Sequence, residues 1–267
     1  MRLIDTHCHL DFDAYDGIRD EIVREAAEAG VARIINPGVD LARSHAAIQL
    51  AATYPGVYAA VGIHPNSTAD FHESALADLR ALAVHPKVVA IGEIGLDYHW
   101  NDSPKAQQQR AFEAQLALAA DLGLPVIIHN REASDDVLDI LAAWTPSLPA
   151  ALKDRPGVLH SFSAPQSAAE RGLALRFYLG FTGPVTFKKA DDLRRIAARI
   201  PLDRILVETD GPFLTPEPRR GRWPNRPAYV RYIAERLAAL HTLPEDAFAA
   251  LTTANAERLF ALPPLED

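Results

Sequence analysis

Two histidines separated by one residue, His7 and His9, close a short apolar run at the start of the chain. Side chains alternate faces along a strand, so both imidazoles would point one way and Cys8 the other. Two imidazoles on one face at a strand end make half of a metal site. Other residues able to ligate or to move protons close later apolar runs. They are His64 in Gly62-Ile63-His64-Pro65, Glu93 in Gly92-Glu93-Ile94-Gly95-Leu96-Asp97, His129, His160, and Glu208 with Asp210 in Glu208-Thr209-Asp210.

The elements that must position these residues follow from the hydrophobic pattern. Apolar runs bounded by turn residues lie at 2–7, 33–36, 57–62, 88–93, 126–129, 158–160, 177–180 and 204–208. Helical patterns fall between and after them, at 17–29, 41–54, 74–84, 105–122, 133–143, 166–173, 191–199 and 228–240. One or two further helices, about 244–252 and 254–260, close the chain. Val126-Ile127-Ile128 and Ile205-Leu206-Val207 are continuously apolar, as strands covered on both faces should be. Eight βα units predict an α/β protein whose residues 1–267 form one domain, a (β/α)8 TIM barrel with one or two extra C-terminal helices. A doubly wound open sheet is the second choice. The Pro-rich stretch 145–156 reads as a loop.

Active sites of such barrels lie at the C-terminal ends of the strands. Four histidines and two carboxylates converging there would be costly to bury without a shared partner, and a bound dication satisfies them together. His7, His9, His129, His160, Glu93 and Asp210 offer more donors than the three protein ligands of one catalytic zinc. Two divalent ions are therefore expected, with Glu93 on the fourth strand as the bridge; imidazoles favour Zn, Mn, Fe or Co over Mg, and the identity, with Mg, Mn or Zn the candidates, is left open. Asp210 is the candidate base for a reacting water, and Glu208 the candidate support for a ligand histidine. Cys8 faces the helices and reads as a packed core thiol. His45, His72, His85, His99 and His241 lie in helices or loops and carry no assigned role.

A net charge of −8 argues against coating duplex DNA by bulk electrostatics and leaves room for a local basic patch. Arg131, Lys188, Lys189, Arg219, Arg220, Arg222 and Arg226 follow strand ends and are expected to rim the mouth. Tyr98, Trp100, Phe162, Phe181, Phe213 and Trp223 share these loops, and unpaired bases stack on such rings. No apolar run has the ~18–20 residues of a membrane helix, and no secretory leader is apparent. One cysteine excludes an intrachain disulfide framework. A cytoplasmic location and no membrane partner are the expectations; the oligomeric state is left open, a monomer being compatible with the sequence.

Asp5-Thr6-His7-Cys8-His9-Leu10-Asp11, Gly62-Ile63-His64-Pro65, Gly92-Glu93-Ile94-Gly95-Leu96-Asp97-Tyr98 and Val207-Glu208-Thr209-Asp210 resemble, in this order, the motifs of the TatD-type deoxyribonucleases. These belong to the larger amidohydrolase-like group of metal-dependent hydrolases, and the resemblance runs from Ile4 to about Phe260. It implies a metal-bearing barrel with 3′→5′ exonuclease activity on DNA, and the basic and aromatic loops favour single-stranded ends over duplex. By position, His7, His9, Glu93 and Asp210 would hold one ion, and Glu93, His129 and His160 the other. His64 would contact substrate or nucleophile, making Asp210, Glu93 and His64 the catalytic candidates. Tyr98, Arg131, Arg222 and Asn225 join His64 as candidate substrate contacts. The chain departs from the family pattern at Ser161 (often Cys), Ala164 (usually Gly), Gly180 (frequently Ser) and Gly211 (commonly Ala or Ser). These departures bear on the walls of the site, and none removes a ligand. A small-molecule amide or ester hydrolase on the same centre is the alternative reading.

Overall fold

In the computed structural model, residues 1–100 and 102–265 are described. Eight parallel strands form one sheet in chain order: β1 (Leu3–Asp5), β2 (Val31–Pro37), β3 (Val57–Val61), β4 (Val88–Asp97), β5 (Val126–Arg131), β6 (Gly157–Leu159), β7 (Tyr178–Phe181) and β8 (Ile205–Val207). Helices follow them: α1 (Arg19–Glu28), α2 (Leu41–Thr53), α3 (Ser74–Ala83), α4 (Lys105–Leu122), α5 (Ser134–Trp144), α6 (Gln166–Ala174), α7 (Asp191–Ala197), α8 (Val230–Leu240) and α9 (Glu245–Phe260). This is the TIM barrel predicted from the pattern.

Local chemistry sets the boundaries. The Asp40 side chain accepts from the Arg43 amide and caps α2. Gly123, at φ +68, ends α4 in the left-handed conformation that glycine tolerates. The stretch 145–156 contains two 3₁₀ turns, Thr145–Ser147 and Ala150–Leu152.

Every strand places a residue in the barrel interior: Ile4, Ile35, Ala60, Ala90, Ile127, Val158, Tyr178 and Leu206. Ala256, Leu259, Phe260 and Leu262 pack against this layer, so α9 plugs the barrel at the end away from the strand C-termini. The end of the chain is one helix where the pattern allowed two. Thr252 does not break it, because its hydroxyl donates back to the Phe248 and Ala249 carbonyls. Asn255 then ties α9 to the Leu202 and Ile205 carbonyls. A second apolar layer lies between strands and helices and contains Cys8, which is fully buried near Tyr15.

No ladder joins β8 to β1 among the described residues. The seam is crossed just beyond the strand ends. Thr6 donates to the Val207 carbonyl, Asp210 to that of His7 (2.8 Å), and His9 to that of Gly211 (2.7 Å). The residues that close the barrel are thus the neighbours of candidate ligands.

Candidate metal centre

The period-two alternation past β1 puts the His7 and His9 rings on one face, as expected. Their Nε2 atoms are 3.2 Å apart. Glu93 Oε2 lies 3.3 Å from His7 Nε2 and 3.6 Å from His9 Nε2. Asp210 Oδ1 lies 3.7 Å from both. Donors bound at ~2.1 Å in a tetrahedron sit about 3.4 Å from one another, so His7, His9 and Glu93 have the spacing of a ligand set, and Asp210 stands 3.7 Å from both rings.

Glu93 turns its other oxygen the opposite way. Oε1 lies 2.8 Å from His129 Nδ1, 3.0 Å from His160 Nε2 and 3.6 Å from His64 Nε2. The β4–β5 register shifts between Ile91 and Ile94, and Glu93 sits in that irregularity, its amide bound to the Gly38 carbonyl. Such breaks re-aim side chains next to active sites. Backbone strain gathers here as well. Glu132, Ser161, Asp210 and Leu214 all have φ between 45° and 55° and all line the mouth.

Charge follows burial and neighbours. Burial, then the other imidazoles, lowers His7 to about 4, His9 to about 3 and His64 to about 3. Neutral rings with free lone pairs are what metal ligation needs. Burial opposes ionisation of Glu93, yet the surrounding histidines outweigh it and hold the carboxyl well below its usual range. Burial likewise opposes charge on His129 and His160, but their carboxylate partners raise both. Burial lifts Asp210 to about 7. The Nδ1 atoms of His7 and His9 have no hydrogen-bond partner among the described residues, and that of His160 faces Glu208 at 3.5 Å. A buried nest of imidazoles around one carboxylate, with donors at ligand spacing, fits a cation.

His64 is held differently. The Asn66 amide donates to its Nδ1 at 3.2 Å, so a neutral His64 carries its proton on Nε2, toward Glu93. That tautomer donates a hydrogen bond from Nε2, and ligation by the group His64, Glu93 and His129 would require displacing that proton.

One residue of the site had no role assigned from sequence. Asp97 accepts from the His99 and Trp100 amides through Oδ1, while Oδ2 lies 2.9 Å from His129 Nε2. It orients the ring whose Nδ1 faces Glu93, the carboxylate–histidine arrangement found behind metal ligands. Burial opposes its ionisation, but His129 and the two amides hold it at about 2. Alternation along β4 puts 93 and 97 on one face, a signal present in the sequence. Glu208 accepts from the Ser161 amide (3.1 Å) and lies 3.5 Å from His160 Nδ1, the supporting place expected for it.

Two departures from the family pattern have a spatial reason. A Cβ at Gly180 would lie 1.6 Å from Glu208 Oε1. One at Gly211 would lie 2.5 Å from the Tyr15 hydroxyl and 2.9 Å from Cys8 Sγ.

The centre opens into a cavity of about 960 Å³ lined by His9, Phe12, His64, Trp100, Arg131, His160, Asp210 and Phe213, among others. The substrate contacts expected from sequence divide here. Arg131 and His64 line it. Tyr98 does not, because its hydroxyl turns outward to donate to Asp136. Asn225 is fully buried and donates to the Thr209 and Phe213 carbonyls, a structural role. Arg222 lines a second cavity with Glu25, Arg219 and Trp223. Of the seven cations expected at the rim, Arg131 alone reaches the cavity wall. The loop after β8 runs over α1 because Arg226 pairs with Glu21 (3.3 Å) and Glu25 (2.5 Å). Arg219 donates to Tyr232, and Arg220 stacks on Phe187. Lys188 and Lys189 stay in solvent. Phe162 and Phe181 are buried against each other.

Residues 4–261 match the sequence model of the family described as TatD related DNase. The chain belongs to this family. Among TatD relatives, it is 43% identical over 260 residues to the Bacillus subtilis protein named uncharacterized metal-dependent hydrolase YabD, covering 97% of this chain and 99% of that one. It is 39% identical over 249 residues to the 3′-5′ ssDNA/RNA exonuclease TatD of Erwinia tasmaniensis, covering 91% and 94%. The crystal structure of YJJV, a TatD homolog from Escherichia coli K12, superposes with a TM-score of 0.90 at 35% identity, covering 98% and 99%. The protein is a metal-dependent hydrolase of the TatD family. Among the described residues no helix is long and apolar enough to cross a membrane.

Proposed function

We propose that the protein hydrolyses phosphodiester bonds at the ends of single-stranded DNA, in the 3′→5′ direction, with two divalent ions. The observation that carries this reading is the division of Glu93: one oxygen faces His7 and His9, the other His129 and His160. When bound, two such ions polarise a phosphoryl oxygen and lower the pKa of water.

The residues divide the remaining work. His7, His9, Asp210 and Glu93 would hold one ion, and Glu93, His129 and His160 the other. Asp210, at the mouth and raised to about 7, orients the attacking water and takes its proton. His64 donates from Nε2 to a substrate oxygen. Arg131 presents a cation to a phosphate, with Trp100 beneath it at 5.8 Å. The exonuclease name of the Erwinia relative supports nucleic acid as substrate.

The test is digestion of an end-labelled single-stranded DNA oligomer with Mg, Mn or Zn, beside Asp210→Asn. The expected result is a ladder from the 3′ end in the wild type, slowed roughly 10²–10⁴-fold in the variant. One observation favours a second reading. Arg131 alone of the seven expected rim cations reaches the cavity, which suits a small amide or ester better than a full basic rim would. Turnover of an amide or ester panel, with no oligonucleotide cut by any metal, would establish that reading instead.

A further inference from the structure

Three aromatic rings lead from the metal centre to the surface. Phe12 stacks on the ligand candidate His9 with centroids 4.5 Å apart and a tilt of 23°. Phe213 meets Phe12 at 6.0 Å, and Trp223 meets Phe213 at 5.7 Å. Exposure rises outward: Phe12 is half-buried, Phe213 is 43% exposed and Trp223 is 64% exposed. Large rings left in water at that extent mark interaction surfaces. The last ring borders the second cavity, about 750 Å³, which Arg219 and Arg222 also line. The Arg226 guanidinium there is neutralised by Glu21 and Glu25. No hydrogen bond or ion pair of the described residues engages the Arg222 side chain.

We propose that Phe12, Phe213 and Trp223 form a stacking rail for the bases of the strand whose end enters the metal centre, with Arg222 receiving a backbone phosphate beyond it. The inference rests on a single-stranded nucleic acid being the substrate. A π-face accepts any base, so the rail confers length dependence without sequence preference. On the opposite side, Trp100 lies under Arg131 at 5.8 Å, Glu132 pairs with His99, and Asp135 and Asp139 on α5 pair with Arg171. The rail also returns Arg222 to substrate recognition, outside the cavity in which sequence had placed it.

The test is a series of oligothymidylates from the dinucleotide upward, with cleavage and fluorescence anisotropy measured in parallel. Wild type, Trp223→Ala, Phe213→Ala and Trp223→Phe are compared, each checked for an unchanged melting transition. In the wild type KM should fall as the oligomer lengthens. Trp223→Ala and Phe213→Ala should flatten that fall and weaken binding of the longest oligomer roughly tenfold, while Trp223→Phe retains most of it. Identical length dependence in wild type and Trp223→Ala overturns the rail and leaves the nuclease reading standing. Binding that Trp223→Ala loses, with no oligomer cut by any metal, keeps the rail and overturns the nuclease reading. No binding by the wild type overturns the rail.

Discussion

Gly180→Ala tests how tightly the wall behind His160 is built. The added Cβ would sit 1.6 Å from Glu208 Oε1 and 2.2 Å from its Cδ, far inside contact distance. A carboxylate on a flexible stem often swings aside at little cost. This one is fully buried, accepts from the Ser161 amide at 3.1 Å and stands 3.5 Å from His160 Nδ1. Moving it forfeits a hydrogen bond to a charged group, about 1.5–3 kcal/mol. Crowding in a packed interior adds about 1–3 kcal/mol. A loss of about 2.5–6 kcal/mol follows, seen as a fall in Tm of roughly 5–24 °C for a chain of this size. Affinity for the ion beside His160 should also fall about 10–100-fold, because the ring loses its supporting carboxylate. Chemical denaturation and metal titration measure the two effects. The cycle with Glu208→Ala isolates the cause: if the damage runs through Glu208, Gly180→Ala adds little stability loss once Glu208 is gone. Additive losses, or a Gly180→Ala protein within about 1 kcal/mol of wild type, would refute the reasoning.

Two further outcomes follow from the centre. Asp97→Asn should weaken one of two metal-binding events in calorimetry by about 10–100-fold and leave the other nearly intact, since Asp97 touches His129 and none of His7, His9 or Asp210; equal loss at both sites would remove its assigned role. Metal uptake should release protons. In the metal-free protein Asp210 titrates at about 7, and His129 and His160 are raised above the ordinary histidine value, so below pH 7 these groups hold protons that ligation must displace. His7 and His9, at about 4 and about 3, are already neutral and release none. Affinity should therefore strengthen as pH rises through 7, and titration in buffers of different ionisation heat should count more protons at pH 6 than at pH 8. Proton uptake, or none exchanged at pH 6, would contradict the assignment.

The elements and the chemistry of the centre were legible in sequence because both obey short-range rules. Strand periodicity pairs His7 with His9, and the polar residue ending each apolar run marks the mouth. What escaped depends on relations between segments. Asp97 was missed because strand 4 was read as ending at Glu93, whereas the ladder to β5 continues to Asp97 opposite Arg131. Phe12 has no signal of its own, and its place on His9 follows from the turn after β1. The arginines after β8 were correctly placed in a loop, but their charge says nothing of where that loop runs. Glu21 and Glu25, on a helix some two hundred residues earlier, decide that by holding Arg226.

The seam of the barrel joins these two kinds of information. β1 and β8 meet through backbone bonds of Thr6, His9 and Asp210, reinforced by Asp5, whose carboxylate accepts from the Thr209 hydroxyl (2.6 Å) and amide (2.9 Å). His7 and His9 stand on one side of that seam and Asp210 on the other, all three within 3.7 Å of a neighbouring donor. An ion held by them would tie the first strand to the last. Its binding energy would then act on barrel closure as well as on chemistry, because a ligand of the folded state alone stabilises that state. That gives a physical reason for the candidate ligands to sit where the sheet lacks a ladder: a metal bound there would supply at the seam the cohesion that strand pairing supplies elsewhere.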